Sequence, residues 1–390
     1  MARLDYHTAG ESHGPALLAF IQGLPAGLPV DFDFINAELR RRQGGYGRGG
    51  RQRIETDTAE PLSGIRLGKT TGSPIALRIP NKDSRLDDLE RTPPVHTPRP
   101  GHADLAGSVK YLTTDCRETL ERASARETAA RVAAGALARC LLRALGIECF
   151  GFVRSVHQAA TSVQVTPDNH AQLLALRDAS DTYCPDPAAT EAQHAVIRQA
   201  KVDKTTVGGI VECHIFNCPP GLGSTMHWAD RLDSRIAAAV MGIQAFKGVE
   251  MGLGMATAQR FGHEVHDPIA FNPALAHLPS LGFTRESNNA GGTEGGMTNG
   301  APIVVRGAMK PISTLLRGMP SVDLNTKQPA QSAYERSDIS AVAAASVVME
   351  NVVAFEVARS LREKFGADSL TELLAQYQSY LTLARQLPLA

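Results

Sequence analysis

The stretch LERASARETAARVAAGALAR, Leu120 to Arg139, carries a helix signature at both ends. Ser124 followed by Glu127 predicts a capping box, the hydroxyl accepting from the backbone N–H three residues on. Ala129, Ala130, Val132, Ala133, Ala136, Leu137, Leu141 and Leu142 follow at helical spacing, and Gly146 offers a left-handed stop. A helix over about 125–145 would be roughly 31 Å long at ~1.5 Å per residue. Its small, alanine-rich face suits close packing in the core. Arg122 and Arg126 flank its start, which makes that end attractive to an anion. A buried helix with two solvated arginines explains the stretch equally well. Asp115 with Glu118 makes a rival capping box, and a helix starting there would leave Ser124 in mid-helix.

Outward from this helix, the bounds are those of a globular enzyme or binding protein. The 390 residues carry 40 basic and 40 acidic side chains and are 43% hydrophobic. That balance excludes a disordered chain and gives no global attraction to nucleic acid. No apolar run reaches 18 residues, and the first residues lack the order of a signal peptide, so a cytoplasmic location with no membrane partner is expected. The six cysteines form no C-x-x-C pair and read as reduced, mostly buried thiols, with no metal site. Of the 40 basic residues only nine are lysine. Arginine grips carboxylates and phosphates bidentately, although base composition of the gene alone also raises its share.

Position matters more than number. Residues 8–14, Thr-Ala-Gly-Glu-Ser-His-Gly, predict a turn bearing His13, followed by a strand over 16–21. Asp33 is the expected cap of a short helix through Arg42. Residues 40–53 then hold six arginines, five glycines and no acid. That composition fits a mobile solvated loop, an anion-binding loop, or an Arg-Gly segment for RNA. Residues 73–79 predict a strand near a sheet edge, because of Pro74. His102 sits in the turn Arg99-Pro-Gly-His-Ala-Asp104; Asp104 either caps the helix predicted over 105–112 or pairs with His102 beside Arg99.

Further strands are expected over 147–156, 207–216 and 301–306, and helices over 230–245, 340–365 and 369–386, with Asp338 the cap of the long one. Residues 285–300 are too glycine-rich for a helix, and their Asn, Thr and backbone N–H groups suit a planar or anionic ligand. The G-x-G-x-x-G dinucleotide pattern is absent from its required strand–turn–helix context. Lys310-Pro-Ile-Ser-Thr314 offers a cation, two hydroxyls and free amides, a cradle for phosphate.

Taken together, GESHG (10–14), RRQGGYGRGGR (41–51), RPGHADLAG (99–107), LERASARETA (120–129), QAFKGVEMG (244–252), SNNAGGTEGG (287–296), KPIST (310–314) and ERSD (335–338) resemble the chorismate synthase family, in family order and over nearly the whole chain. The resemblance implies one α+β domain over 1–390, a layered β-α-β sandwich with helices between antiparallel sheets, assembled as a homotetramer. It implies a lyase that removes phosphate from 5-enolpyruvylshikimate 3-phosphate by 1,4-elimination to give chorismate. Reduced FMN is required without net redox change, NADPH being an indirect source of electrons through a separate flavin reductase. By motif, His13 and His102 would be catalytic acids, His102 at the phosphate, and Asp338 would move a proton beside flavin N5. Arg42, Arg48, Arg51, Arg126 and Arg336 would bind substrate or nicotinamide. Arg122, Ala123, Ser124, Gln244, Ala245, Gly295, Lys310, Pro311, Ile312, Ser313, Thr314 and Arg336 would hold the flavin. A flavin hydride-transfer enzyme and an RNA-binding protein using 40–53 are the alternatives. The chain departs from the family pattern at Lys204-Thr205-Thr206, at Gln244, where asparagine is common, and at Ala343, where proline is.

Overall fold

The computed structural model describes residues 3–50, 54–332 and 338–389. Two antiparallel sheets enclose the helices. The first has the strand order Asp5–Ala9, Ala16–Gln22, Ile75–Pro80, Glu60–Pro61. The second runs Phe246–Met251, Ile303–Met309, Gly209–Phe216, Glu148–Val156, Ala159–Ala160. The helix Thr128–Ala144 packs on the first sheet and against the long helix Val342–Lys364, which packs on the second. The expected β-α-β layering is therefore present. Both helices are apolar nearly all round, as elements with neighbours on two sides must be. They approach so closely that a Cβ on Gly135 would lie 2.4 Å from the Asn351 carbonyl oxygen. The alanine-rich face is what permits that approach.

Six ionic and polar side chains sit inside this apolar layer. Arg139 donates to Glu38 at 2.8 Å and pairs with Glu350 at 2.9 Å, Arg41 bridges the same two carboxylates, Arg177 faces Glu350 at 3.4 Å, and the Asn351 amide donates to Glu38 at 2.9 Å. Burial pushes the Glu38 carboxyl up, but Arg41 and Arg139 pull it further down, to about 2.

Several local expectations change. The predicted central helix is two pieces: Arg117–Ala123 ends at Ser124, which is extended, and a 3-10 turn over Ala125–Glu127 leads into Thr128–Ala144. Ser124 Oγ accepts from Arg126 N at 3.3 Å, and Glu127 does not turn back to close the box. Its carboxylate is taken instead by Thr8 Oγ1 (2.5 Å), Arg131 Nε (2.9 Å) and Gln244 Nε2 (3.0 Å). The rival capping box does not form either: the helix Arg117–Ala123 follows Cys116, Asp115 N donates to Thr113 Oγ1 and not to Glu118, and Ser124 is a break and not mid-helix. Gly146 is left-handed, as expected.

The helix Phe32–Gln43 is capped by Asp31, which accepts from Phe34 N at 2.9 Å, and not by Asp33, which lies inside its first turn. Strand Ile75–Pro80 is interior, because Pro74 precedes the paired residues and Glu60–Pro61 forms the edge. The helix expected over 230–245 is a 3-10 turn, Trp228–Asp230, and a helix, Leu232–Met241. All six cysteines are free thiols, five of them buried. Among the described residues no helix is long and apolar enough to cross a membrane.

Candidate active site

His13 stands in the turn between the first two strands. Gly10 takes φ +100° there, and a Cβ on it would strike the Ala16 carbonyl at 2.3 Å. The turn is fastened to the Arg117–Ala123 helix: Ser12 N donates to the Glu121 carbonyl at 3.0 Å and His13 N to the Glu121 carboxylate at 2.9 Å. His13 Nδ1 lies 2.9 Å from Glu121 Oε1, and Arg117 Nη1 donates to that same oxygen at 3.1 Å. Burial raises the Glu121 pKa, but the bonds from His13 and Arg117 outweigh it and hold the carboxyl below its usual range. An ionised acceptor there keeps a proton on Nδ1 and leaves Nε2 for proton exchange. Arg85 Nη2 at 3.4 Å and Asp83 at 3.8 Å flank that nitrogen.

His102 repeats the arrangement. Its Nδ1 lies 2.5 Å from Asp104 Oδ1, while Arg99 Nε donates to Asp104 Oδ2 at 2.8 Å. Asp104 is fully buried and does not cap the helix Asp104–Tyr111; it also takes Arg99 N at 3.0 Å. Burial pushes its carboxyl up, yet His102 and Arg99 bring it well below the carboxylate range. Each histidine thus leans on a buried carboxylate that an arginine also holds. The two carboxylates belong to neighbouring helices, so close that a Cβ on Gly107 would strike Thr119. From this loop Arg99 Nη1 reaches Thr314 Oγ1 at 3.2 Å, and Lys310 Nζ donates to the Gly101 carbonyl at 2.8 Å. His102 therefore stands beside residues 310–314.

The arginine-glycine segment is anchored, not mobile and solvated. Tyr46 N donates to the Asp181 carbonyl at 2.7 Å, Ile339 N to the Gly47 carbonyl at 2.9 Å, and Gly45 packs on Ala343, one of the departures from the family pattern. Of its described arginines, Arg41, Arg42 and Arg48 turn inward and Arg40 is exposed, which runs against the RNA reading. Arg42 donates to Asp57 at 2.7 Å, and Arg126 grips both oxygens of that carboxylate at 2.6 and 2.7 Å. Arg126 Nε also reaches Asn81 at 3.0 Å. Arg48 pairs with Asp338 at 2.6 Å, and Gly49 N donates to Asp338 at 2.6 Å. Asp338 is therefore spent on this loop and does not cap the long helix, which begins at Val342. Arg42 Nε, Arg48 Nε and Arg126 Nη2 are buried with no hydrogen-bond partner among the described residues. Arg51 and Arg336 lie outside those residues.

The residues assigned to the flavin fall into one tract and one outlier. Ser124 leads through Glu127 to Gln244; Lys310 N donates to the Ala245 carbonyl at 2.9 Å, and Ala245 itself takes φ +70°. Thr206 Oγ1 donates to the Ile312 carbonyl at 2.7 Å, so the Lys204-Thr205-Thr206 departure helps to hold the 310–314 segment. Arg122 donates to the Thr8 carbonyl at 2.8 Å and the Gly10 carbonyl at 3.2 Å, and lies 3.9 Å from the Glu127 carboxylate. Gly295 is the outlier. Its neighbour Gly296 accepts from Leu232 N at the start of the Leu232–Met241 helix, while Gln244 lies past the end, about 15 Å along the axis. Asn288 and Asn289 of the 285–300 segment are engaged within the fold, while the Asn299 amide nitrogen is buried with no hydrogen-bond partner among the described residues. Asn288 donates to the Pro302 carbonyl at 2.8 Å, and Asp267 accepts from Asn289 N at 2.8 Å and Ala290 N at 2.9 Å.

Glu121, Asp57 and Asp267 were not anticipated as organising residues. Asp57 had a signal: Glu55, Asp57 and Ala59 alternate buried with exposed neighbours just after the acid-free arginine run. Glu121 stands within the LERASARETA block but is separated from His13 by 108 positions.

The chorismate synthase family profile matches residues 4–361. The chain is 50% identical to the chorismate synthase of Desulforamulus reducens, across 98% of this chain and all of the other. It is 50% identical to that of Desulforudis audaxviator, across 98% of each. A solved structure described as a crystal structure of chorismate synthase superposes with a TM-score of 0.80 at 41% identity, covering 99% of both chains. Paired histidine–carboxylate sites, an inward-facing arginine loop and this full-length likeness lead to one assignment: the chain belongs to the chorismate synthase family.

Proposed function

We propose that the chain converts 5-enolpyruvylshikimate 3-phosphate to chorismate and inorganic phosphate, a carbon–oxygen lyase reaction of the shikimate pathway. The observation that carries this reading is the pair of buried N–H groups on Arg42 and Arg48 with no hydrogen-bond partner among the described residues, together with two histidines backed by carboxylates, the turn of His13 being tied through Asn81 to Arg126. A substrate with two carboxylates and a phosphate supplies acceptors for such donors. Buried donors left without acceptors are costly, so these are held for a ligand.

His102, beside Lys310 and the 310–314 segment, is the group we place at the departing phosphate, delivering a proton from Nε2 while Asp104 steadies Nδ1. Burial and then the neighbouring Lys247 depress the Lys310 pKa, as suits a cation waiting for an anion. His13 takes the other acid role, with Glu121 fixing its tautomer. Asp338, held between Arg48 and Gly49 N, is the group we assign to accept or return the other proton.

The residues present fit reduced FMN. Gln244 Oε1 is buried and unpartnered, an acceptor suited to a ring N–H, and Ser124, Ala245 and residues 310–314 adjoin it. When bound, reduced FMN supplies electron density that eases phosphate loss and is recovered with the substrate hydrogen, so no net redox change results. The protein's share is orientation, charge neutralisation and proton placement. Assembly as a homotetramer, a cytoplasmic location and a separate, NADPH-fed flavin reductase belong to the same proposal.

An anaerobic assay with purified protein, photoreduced FMN and 5-enolpyruvylshikimate 3-phosphate tests it. Stoichiometric chorismate and phosphate with flavin still reduced is the expected result. No product overturns the proposal; net flavin oxidation points to hydride transfer.

A further inference from the structure

On the outer face of the five-stranded sheet, the face opposite the helix Val342–Lys364, lies a cavity of about 390 Å³. That volume falls within the range of small-molecule sites. Its walls include Val165, Phe283, Pro302 and Val304, and two of its polar members, His214 and Arg285, each carry a buried nitrogen with no hydrogen-bond partner among the described residues.

His214 is 4% exposed and stacks between Phe152 and Phe216, its ring planes 24° and 15° from theirs. Its Nε2 lies 2.7 Å from Glu212 Oε1. Arg306 Nε donates to the other oxygen of Glu212 at 2.6 Å, and Arg154 lies 3.8 Å away. Burial raises the Glu212 pKa, but His214 and the two arginines together bring it down to about 2. An ionised Glu212 demands a proton on His214 Nε2, and Nδ1 is then a lone-pair acceptor with no donor.

Arg285 has the complementary need. Its side chain is 8% exposed; Nη1 donates to the Asn299 carbonyl at 3.0 Å and Nη2 to Glu294 at 2.9 Å, while Nε–H has no acceptor. The cavity lining is charge-balanced, Arg285 and Glu286 both facing it, while behind it Glu212 answers Arg154 and Arg306, and Glu294 answers Arg285.

We propose that this cavity is a binding site for a small cyclic hydroxy carboxylate, its carboxylate accepting from Arg285 Nε–H and its hydroxyl donating to His214 Nδ1. The apolar walls take the ring, and the carboxylate supplies the acceptor that Arg285 Nε–H lacks among the described residues. An apolar ligand would leave both nitrogens unsatisfied, and an inorganic anion would leave the apolar walls uncovered.

The probe is 3-hydroxybenzoate, titrated by saturation-transfer NMR into full-length protein saturated with oxidised FMN and 5-enolpyruvylshikimate 3-phosphate. Benzoate is the comparator. The expected result is saturable binding with 3-hydroxybenzoate favoured over benzoate by about fivefold, the worth of one hydrogen bond. His214→Phe abolishes that preference, Arg285→Gln weakens both ligands by about tenfold or more, and Ala301→Leu, which fills the cavity and removes no polar group, blocks both. Circular dichroism of each variant reports folding. Absence of saturable binding, or binding that persists unchanged in folded Ala301→Leu, overturns the proposal. Equal affinity for the two acids overturns the role given to His214.

Discussion

His13 Nδ1 and Glu121 Oε1 are 2.9 Å apart although 108 positions separate them in the chain. Glu121 also receives the His13 backbone N–H and Arg117, so one carboxylate fixes both the histidine's turn and its ring. Glu121→Gln keeps the size and removes the charge. The expected effect is a fall in kcat on the order of tenfold or more, with FMN affinity within about twofold of wild type. The pH–rate profile separates the roles: a positioning carboxylate alters its shape, whereas general loosening lowers it uniformly.

His102→Ala removes a proton donor from a loop that Arg99 and Lys310 still hold in place. Phosphate release in single turnover is expected to slow by about 10²-fold or more, while the FMN dissociation constant changes little. Parallel losses in both would make His102 a structural residue.

The buried pair network gives a pH prediction. The ordinary Glu38 value is 4.5, and its folded value is about 2. The unfolded chain therefore binds the proton more readily, and the stability contributed by Glu38 is complete above about 4.5 and lost as pH falls from there towards 2. Glu38→Gln removes that acid-side slope. It also leaves Arg139 and Arg41 facing Glu350 alone, at a cost of roughly 3–5 kcal/mol at neutral pH. Urea midpoints measured along a pH series check both parts.

The sequence makes periodic segments legible because they answer to neighbours three or four residues away. Thr128–Ala144, Val342–Lys364 and the strands Glu148–Val156, Gly209–Phe216 and Ile303–Met309 are of this kind, each displaced by only one to a few residues at its ends. It misplaces caps wherever a tertiary partner outbids the local one. Glu127 goes to Thr8, Arg131 and Gln244, Asp104 to Arg99 and His102, and Asp338 to Arg48. The same limit hides Glu121 and Asp57, whose partners are remote. His13 and His102 are legible as turn histidines, but what backs each of them is not.

Gly135 tests the helix contact at the centre of the molecule. A Cβ there would lie 2.4 Å from the Asn351 carbonyl oxygen, backbone that cannot swing aside. Gly135→Ala improves helix propensity by about 1 kcal/mol, yet overpacking is expected to outweigh that gain for a net loss of ~1–3 kcal/mol. A lower urea midpoint at unchanged m-value is the predicted signature. A rise in midpoint would mean that the two helices part without cost.

Thr206 stands where the family pattern usually has serine, and its Oγ1 donates to the Ile312 carbonyl at 2.7 Å. That bond ties the loop before strand Gly209–Phe216 to the 310–314 segment, which also receives Arg99 at Thr314. Thr206→Val keeps the shape and deletes the donor, leaving a carbonyl short of one partner. The loss is about 1 kcal/mol, a factor of about five in an equilibrium constant. If the segment cradles the flavin, that factor appears as weaker FMN binding in a fluorescence titration, with kcat restored at saturating FMN. If the bond serves only the fold, the cost appears in the urea midpoint and FMN affinity stays at the wild-type value.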